Sequence, residues 1–216
     1  MKRSWSLRLV VVLGLFSFLP YASPAHAQQA KRIGTVSALE GKATVLHQGK
    51  FTPEPLAIHQ PIFPEDIIET DVGSKIRLTL IDATAVMLGE RSRVVIDRFV
   101  YAPQQQTLTA RLTVLSGIFR AIIKELLPQS TFEVTTPTAI AAIRGTDLMG
   151  EVRAESTAIV VLEGTVVVSN VRPRFRGLTT LTPGTGTTVL TDQPPSAPTR
   201  WSESRIEALR RATALQ

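Results

Sequence analysis

Few residues of this chain are equipped for chemistry. Beyond its first 27 residues there are only two histidines, His47 and His59, and there is no cysteine anywhere. Thiol nucleophiles, thiolate metal sites and disulfides are therefore excluded. The sequence contains no His-Glu-x-x-His pair, no Gly-x-Ser-x-Gly elbow, no phosphate-binding Gly-rich loop and no dinucleotide fingerprint. No histidine is paired with a nearby carboxylate. Folding would have to gather Asp66, Asp82, Asp147 and Glu163 into an acid–base pair. Standing beside small turn-forming residues, they read as turn residues instead. The expectation is a chain without catalysis, metal or cofactor.

Two stretches are better suited to recognition or to architecture. The first runs Thr136-Pro137-Thr138-Ala139-Ile140-Ala141-Ala142-Ile143-Arg144-Gly145-Thr146-Asp147-Leu148. It joins two apolar, strand-like segments through the polar tripeptide Arg144-Gly145-Thr146. Proline at 137 pushes Thr136 towards extended geometry. A glycine between strand patterns marks a positive φ, a bulge or a backbone packed too closely for a Cβ. Arg144 is expected to turn inward onto a carboxylate or onto turn carbonyls, and Thr146 Oγ1 to tie down neighbouring backbone. The second stretch is Arg172, Arg174 and Arg176, which project from one face if the segment is extended. Such a stripe would receive an anionic partner, or else guard a solvated edge with Pro173.

The elements that position these residues are strands. Ile76, Leu78 and Leu80 alternate with Lys75, Arg77 and Thr79, and Leu108, Ala110, Leu112 and Val114 alternate with polar neighbours. Period two of this kind belongs to a sheet covered on one face. Frequent Gly and Pro punctuation makes the chain all-β, a sandwich or a solenoid-like stack of hairpins. Three echoes of Leu-polar-Gly-x-apolar-x-apolar, around Gly41, Gly117 and Gly164, read as strand, tight glycine turn, strand. Residues 118–127 also fit a helix face, but strand to Ile123, as a hairpin return after Gly117, is the better reading. Residues 191–200 form a proline-rich linker. It leads into a short helix within 201–216, capped by Ser202 and docked by Trp201, Ile206 and Leu209.

The chain opens with Lys2, Arg3 and Arg8, an 11-residue apolar run from Leu9 to Leu19, then Pro20 and Ala25-His26-Ala27. This is the pattern of a signal peptide over residues 1–27, too short to span a bilayer. It predicts export to the periplasm without a retained membrane span. The formal charge of +6 falls to +3 when those three cations leave with the leader, too mild to imply nucleic acid. The β domain is expected over residues 28–190.

Those motifs together resemble the FecR family of periplasmic domains. Thr136-Pro137 through Arg144-Gly145-Thr146 is similar to the family's T-P-x-A-x-A-x-R-G-T signature. Asp66-Ile67-Ile68-Glu69-Thr70 with Gly73-Ser74, Asp82-Ala83-Thr84, Leu88-Gly89 with Ser92, and Glu163-Gly164 with Val166 and Val168 match its weaker segments, over a core of about 65–168. Glu65 and Ala83 stand where the family carries glycine, and Asp66 and Asp82, in the family's other two polar turns, are the carboxylates that the resemblance offers to Arg144. The resemblance implies a stand-alone, exported, non-catalytic domain that binds or scaffolds another envelope protein. Two other readings stay open: an accessory of envelope or iron-related transmembrane signalling, and a carbohydrate- or polymer-binding module.

Overall fold

The structure is a computed structural model that describes residues 31–123, 128, 130–175 and 177–215. The expected leader at 1–27, residues 124–127 and Arg176 lie outside the described residues. In chain order the strands are β1 (Gly34–Glu40), β2 (Ala43–Leu46), β3 (Glu54–Pro55), β4 (Pro61–Ile62) and β5 (Ile67–Thr70). Next come β6 (Lys75–Leu80), β7 (Ala85–Leu88), β8 (Arg93–Ala102), β9 (Thr107–Ile123) and β10 (Thr131–Thr135). The last are β11 (Ala139–Arg153), β12 (Ser156–Asn170), β13 (Thr179–Leu181), β14 (Thr185–Leu190) and β15 (Thr199–Arg200), before helix α1 (Glu203–Thr213). The chain is all-β with a short C-terminal helix.

Three strands are too long for one sheet and serve two arms. The first half of β9 lies between β8 and β10, and its second half between β7 and β11. Likewise β11 pairs with β10 through Ile140–Ile143 and with β9 through Thr146–Val152. One arm therefore runs β13-β12-β11-β10-β9-β8-β5-β2-β3, and the other β15-β14-β12-β11-β9-β7-β6-β1-β4. The sheet is open and does not close into a barrel. Inward side chains of both arms, from Val36, Leu78 and Phe119 to Val94, Leu112 and Val134, form one contiguous core.

This continuity corrects the reading of the glycine echoes. Gly41 does turn the chain between β1 and β2, but Gly117 and Gly164 lie inside single strands. At Gly117 (φ +97°) β9 bends without ending, and no hairpin returns there. A Cβ at this position would stand 2.4 Å from Ser92 Cα. The Ser92 hydroxyl seals the bend, accepting from the Ile118 N–H at 3.0 Å and lying 3.1 Å from its carbonyl. The strand reading of residues 118 to 123 is correct.

The proline-rich stretch 191–200 lies along the sheet. Asn170 Nδ2 donates to the carbonyls of Leu190 and Gln193, both at 2.8 Å, and Ser196 exchanges hydrogen bonds with Thr188 at 3.0 Å. Ser202 caps α1, accepting from the Arg205 N–H. The helix buries Ile206 and Leu209, with Trp201, on Met149 and Val160 of the second arm. Lys75 Nζ donates to the Ala214 carbonyl at 2.9 Å just past its far end. No helix among the described residues is long and apolar enough to cross a membrane.

The alternation in β6 is seen directly: Ile76 and Leu78 are fully buried and Leu80 nearly so, while Arg77 is exposed. Leu78→Ala is expected to cost about 2–5 kcal/mol and Arg77→Ala a few tenths, read by urea unfolding. Equal, small losses would reject this burial pattern.

Candidate functional site

The Arg144-Gly145-Thr146 segment is a bulge inside β11. Arg144 stands opposite Thr165 and Asp147 opposite Glu163, so Gly145 and Thr146 together face the single residue Gly164. Both glycines have positive φ, +53° at Gly145 and +81° at Gly164. The closer constraint falls on Gly164. A Cβ there would lie 2.1 Å from the Gly145 carbonyl oxygen, whereas one at Gly145 meets nothing within 4 Å. Thr146 is buried, and its hydroxyl donates to the Arg144 carbonyl at 3.1 Å, with the Thr165 carbonyl at 3.3 Å. The extra residue reverses the facing of the remainder of β11: Leu148 and Val152 point into the main core, and Asp147 lies on the opposite face, with Met149 and Arg120.

Asp147 is nearly buried, and its partner is Arg120 on β9. The guanidinium grips it with two bonds, Nε–Oδ1 at 2.9 Å and Nη2–Oδ2 at 2.6 Å. These bonds raise the Arg120 pKa against the lowering effect of burial, and Glu163 adds to the attraction. Sequence reasoning did not find this pair. Its signal was two opposite charges, each isolated in an apolar run, whose contact depends on the β9–β11 register. Upstream, Thr136 and Thr138 anchor the start of β11 from within. Thr136 Oγ1 accepts from the Ala139 N–H at 2.9 Å, and both hydroxyls meet Thr157 Oγ1, at 2.7 and 2.8 Å.

Arg144 departs from the inward, paired position expected of it. It is exposed, and among the described residues it has no ion pair or hydrogen-bond acceptor. The neighbouring Gly145 is open to solvent, so no dry pocket calls the guanidinium inward. Neither Asp66 nor Asp82 reaches it. Asp82 holds its own turn, accepting from the Thr84 N–H at 3.1 Å and hydroxyl at 2.6 Å. Ala83 (φ +66°) and Glu65 (φ +65°) take up left-handed backbone at the two places where the family pattern has glycine.

Asp66 is fully buried and pairs with His47, Nδ1 to Oδ1 at 2.7 Å, so a histidine–carboxylate pair does exist. Strand pairing creates it: Leu46 opposes Ile67, and His47 and Asp66 are the next residues along. The other carboxylate oxygen accepts from the Phe63 N–H at 2.8 Å, and the Phe63 ring meets the imidazole edge-on. Burial pushes the Asp66 carboxyl up, against the lowering effects of the Phe63 N–H and of His47. Among the described residues no nucleophile is hydrogen-bonded to His47. No group of three or more metal-ligating side chains occurs among the described residues.

The arginine stripe is not extended. Pro173–Phe175 is a turn of 3-10 helix, closed by the Phe175 N–H on the Arg172 carbonyl at 3.0 Å. Arg172 and Arg174 converge on Asp192, at 2.5 and 3.5 Å. One carboxylate thus partly neutralises the charge expected to attract a partner, and Arg176 lies outside the described residues. Trp201 is no open platform either, since it packs under the Arg205 guanidinium, 3.4 Å from the ring centre.

What stays open is the outer face of the first arm. Thr131, Glu133, Ala142, Arg144, Thr165 and Val167 line a shallow cleft of about 500 Å³ there. The second arm's outer face is covered in part by α1. The cleft has the makings of a recognition surface: a free guanidinium, small side chains and a partly apolar floor.

Residues 66–167 match the family profile described as FecR protein. Two crystal structures of a "putative anti-sigma factor" from Parabacteroides distasonis ATCC 8503, at 1.65 and 2.50 Å resolution, share the fold with TM-scores of 0.52 at 17% identity. The matches cover 66% of this chain and 63% and 62% of theirs, so the chain spans less than two-thirds of their length. No curated protein matches.

Two outcomes test this geometry. Gly145→Ala should cost about 1–2 kcal/mol, for left-handed backbone alone. Gly164→Ala should cost more than about 3 kcal/mol, because its methyl meets a carbonyl. Equal losses in urea unfolding would reject the close approach. The second outcome concerns pH. Between 3.8, the ordinary value, and the raised pKa of Asp66, this carboxyl is protonated to a greater extent in the native state than in the unfolded chain. Wild-type stability should therefore fall as pH rises through that window. Asp66→Asn should lose this slope, and parallel pH–stability curves would contradict the burial effect.

Proposed function

The chain carries a FecR-family domain at residues 66–167, and on that premise we propose that it is a non-catalytic binding module of the bacterial envelope. Its partner is another envelope protein, held on the open face of the first arm. The leader pattern at residues 1–27 supports a periplasmic place for it. One observation carries the reading. Within the motif Gly145, Thr146, Gly164 and Asp147 serve the bulge, whereas Arg144 is presented outward with no acceptor among the described residues. A guanidinium held on a rigid bulge beside a cleft is suited to a carboxylate or a row of carbonyls on a partner.

A second reading makes the module an accessory of transmembrane signalling. It draws on the family and on the anti-sigma description attached to the Parabacteroides structures. It differs in what the partner does, not in where it sits.

Arg144→Glu and Ala142→Arg should leave unfolding unchanged within about 0.5 kcal/mol. Both should abolish co-purification of the partner from a cross-linked envelope fraction, identified by mass spectrometry. Undiminished capture by both folded variants would remove Arg144 and its cleft from the binding surface.

A further inference from the structure

The long strand β8 is protected on one side only. Towards β9 it is paired from Arg93, opposite Ser116, to Ala102, opposite Thr107. On its other side β5 reaches no further than Val95. The last backbone bonds there are the Glu65 N–H on the Ile96 carbonyl at 2.8 Å and the Ile96 N–H on the Asp66 carbonyl at 3.3 Å. Beyond them, among the described residues, no strand and no backbone hydrogen bond lies along Arg98–Ala102 on that side. Four other edge strands are blunted: β3, β4 and β15 are two residues long and β13 three, with Pro55 and Pro61 in two of them.

The side chains along this edge have a definite chemistry. Arg98 stands directly opposite Arg111, a like-charge pairing that costs stability unless anions answer it. Arg111 has its answer in Glu133, at 2.9 Å. Arg98 is exposed and has no acidic partner among the described residues. Two residues on, and on the same face, Val100 is half exposed. On the opposite face Phe99 is buried and Tyr101 packs against the core.

We propose that Arg98–Ala102 is a docking edge that receives an extended segment of a partner protein as an added strand. The segment carries an Asp or Glu opposite Arg98 and an apolar residue two positions away, opposite Val100. Outward N–H and C=O groups repeating along five residues are matched by another polypeptide backbone. Neither a polysaccharide nor a nucleic acid carries that array. A second copy of this chain fits less well. Paired antiparallel about Val100, it would set Arg98 against Ala102 and leave the guanidinium without an anion. The edge lies on a different strand from Arg144, and the inference stands without the reading given to that residue.

The full folded chain is panned against a display library of random decapeptides. Enriched sequences should share an acidic residue two positions from a β-branched or aromatic one. Synthetic copies should slow amide hydrogen exchange at residues 98–102. Arg98→Glu and Val100→Lys, both at exposed positions, should weaken those peptides at least tenfold, and panning on Arg98→Glu should turn the preference to Lys or Arg. Arg144→Glu should leave the peptides bound, which separates this test from that of the cleft. No enrichment, an exchange footprint elsewhere, or an acidic preference indifferent to Arg98→Glu would overturn the proposal. So would self-association of the chain alone, seen in sedimentation and abolished by Val100→Lys, since that assigns the edge to a second copy.

Discussion

A strand that belongs to two sheet arms must bend without breaking its hydrogen-bond ladder, and this constraint governs the rest of the fold. β9, β11 and β12 meet it with backbone that only glycine adopts freely, at Gly117, Gly145 and Gly164. The tightest point is the approach of Gly164 to the Gly145 carbonyl. The two-against-one bulge, the burial of Thr146 and the placing of Asp147 beside Arg120 all depend on it. Remove that approach and β11 could not pass from β10 to β9 while keeping β12 beside it.

The core holds without cysteine because its polar inclusions are all answered. Among the described residues no buried side-chain nitrogen or oxygen lacks a hydrogen-bond partner. The threonines at 136, 138 and 157 are one example, and Asp66 under His47 and the Phe63 N–H is another. Each such group costs free energy on leaving water and is tolerated only where the surrounding strands aim a partner at it. Polar contacts of this kind specify register, since a slip of one residue in β2 against β5 would part His47 from Asp66 and leave the carboxylate with the Phe63 N–H alone.

What the sequence made legible was local. Alternation placed Ile76, Leu78 and Leu80 inside, and the Ser202 cap with its apolar stripe placed the docking helix. Glycine marked the bends but not their kind, because a bend within one strand and a turn between two present the same residues. Long-range pairings were not legible. His47 meets Asp66 and Arg120 meets Asp147 only through register set by whole strands. The arginines mislead for related reasons. The motif around Arg144 has the residues of a dry corner, which would send the guanidinium to Asp66 or Asp82, yet the bulge lies open to solvent. Residues 172–176 alternate like a strand although Pro173 starts a helical turn.

The C-terminal helix also sets the order in which the surface is completed. Met149 and Val160 stand on β11 and β12, yet their cover, Trp201 with Ile206 and Leu209, is contributed some forty residues or more further along the chain. A nascent or clipped chain that stops at the proline-rich strap can form every strand up to β14 and still show a bare apolar patch. The patch disappears only once residues 201–209 have been made and docked. Such a patch is the kind of mark that chaperones and proteases respond to, so the docked helix works as a seal that conceals it.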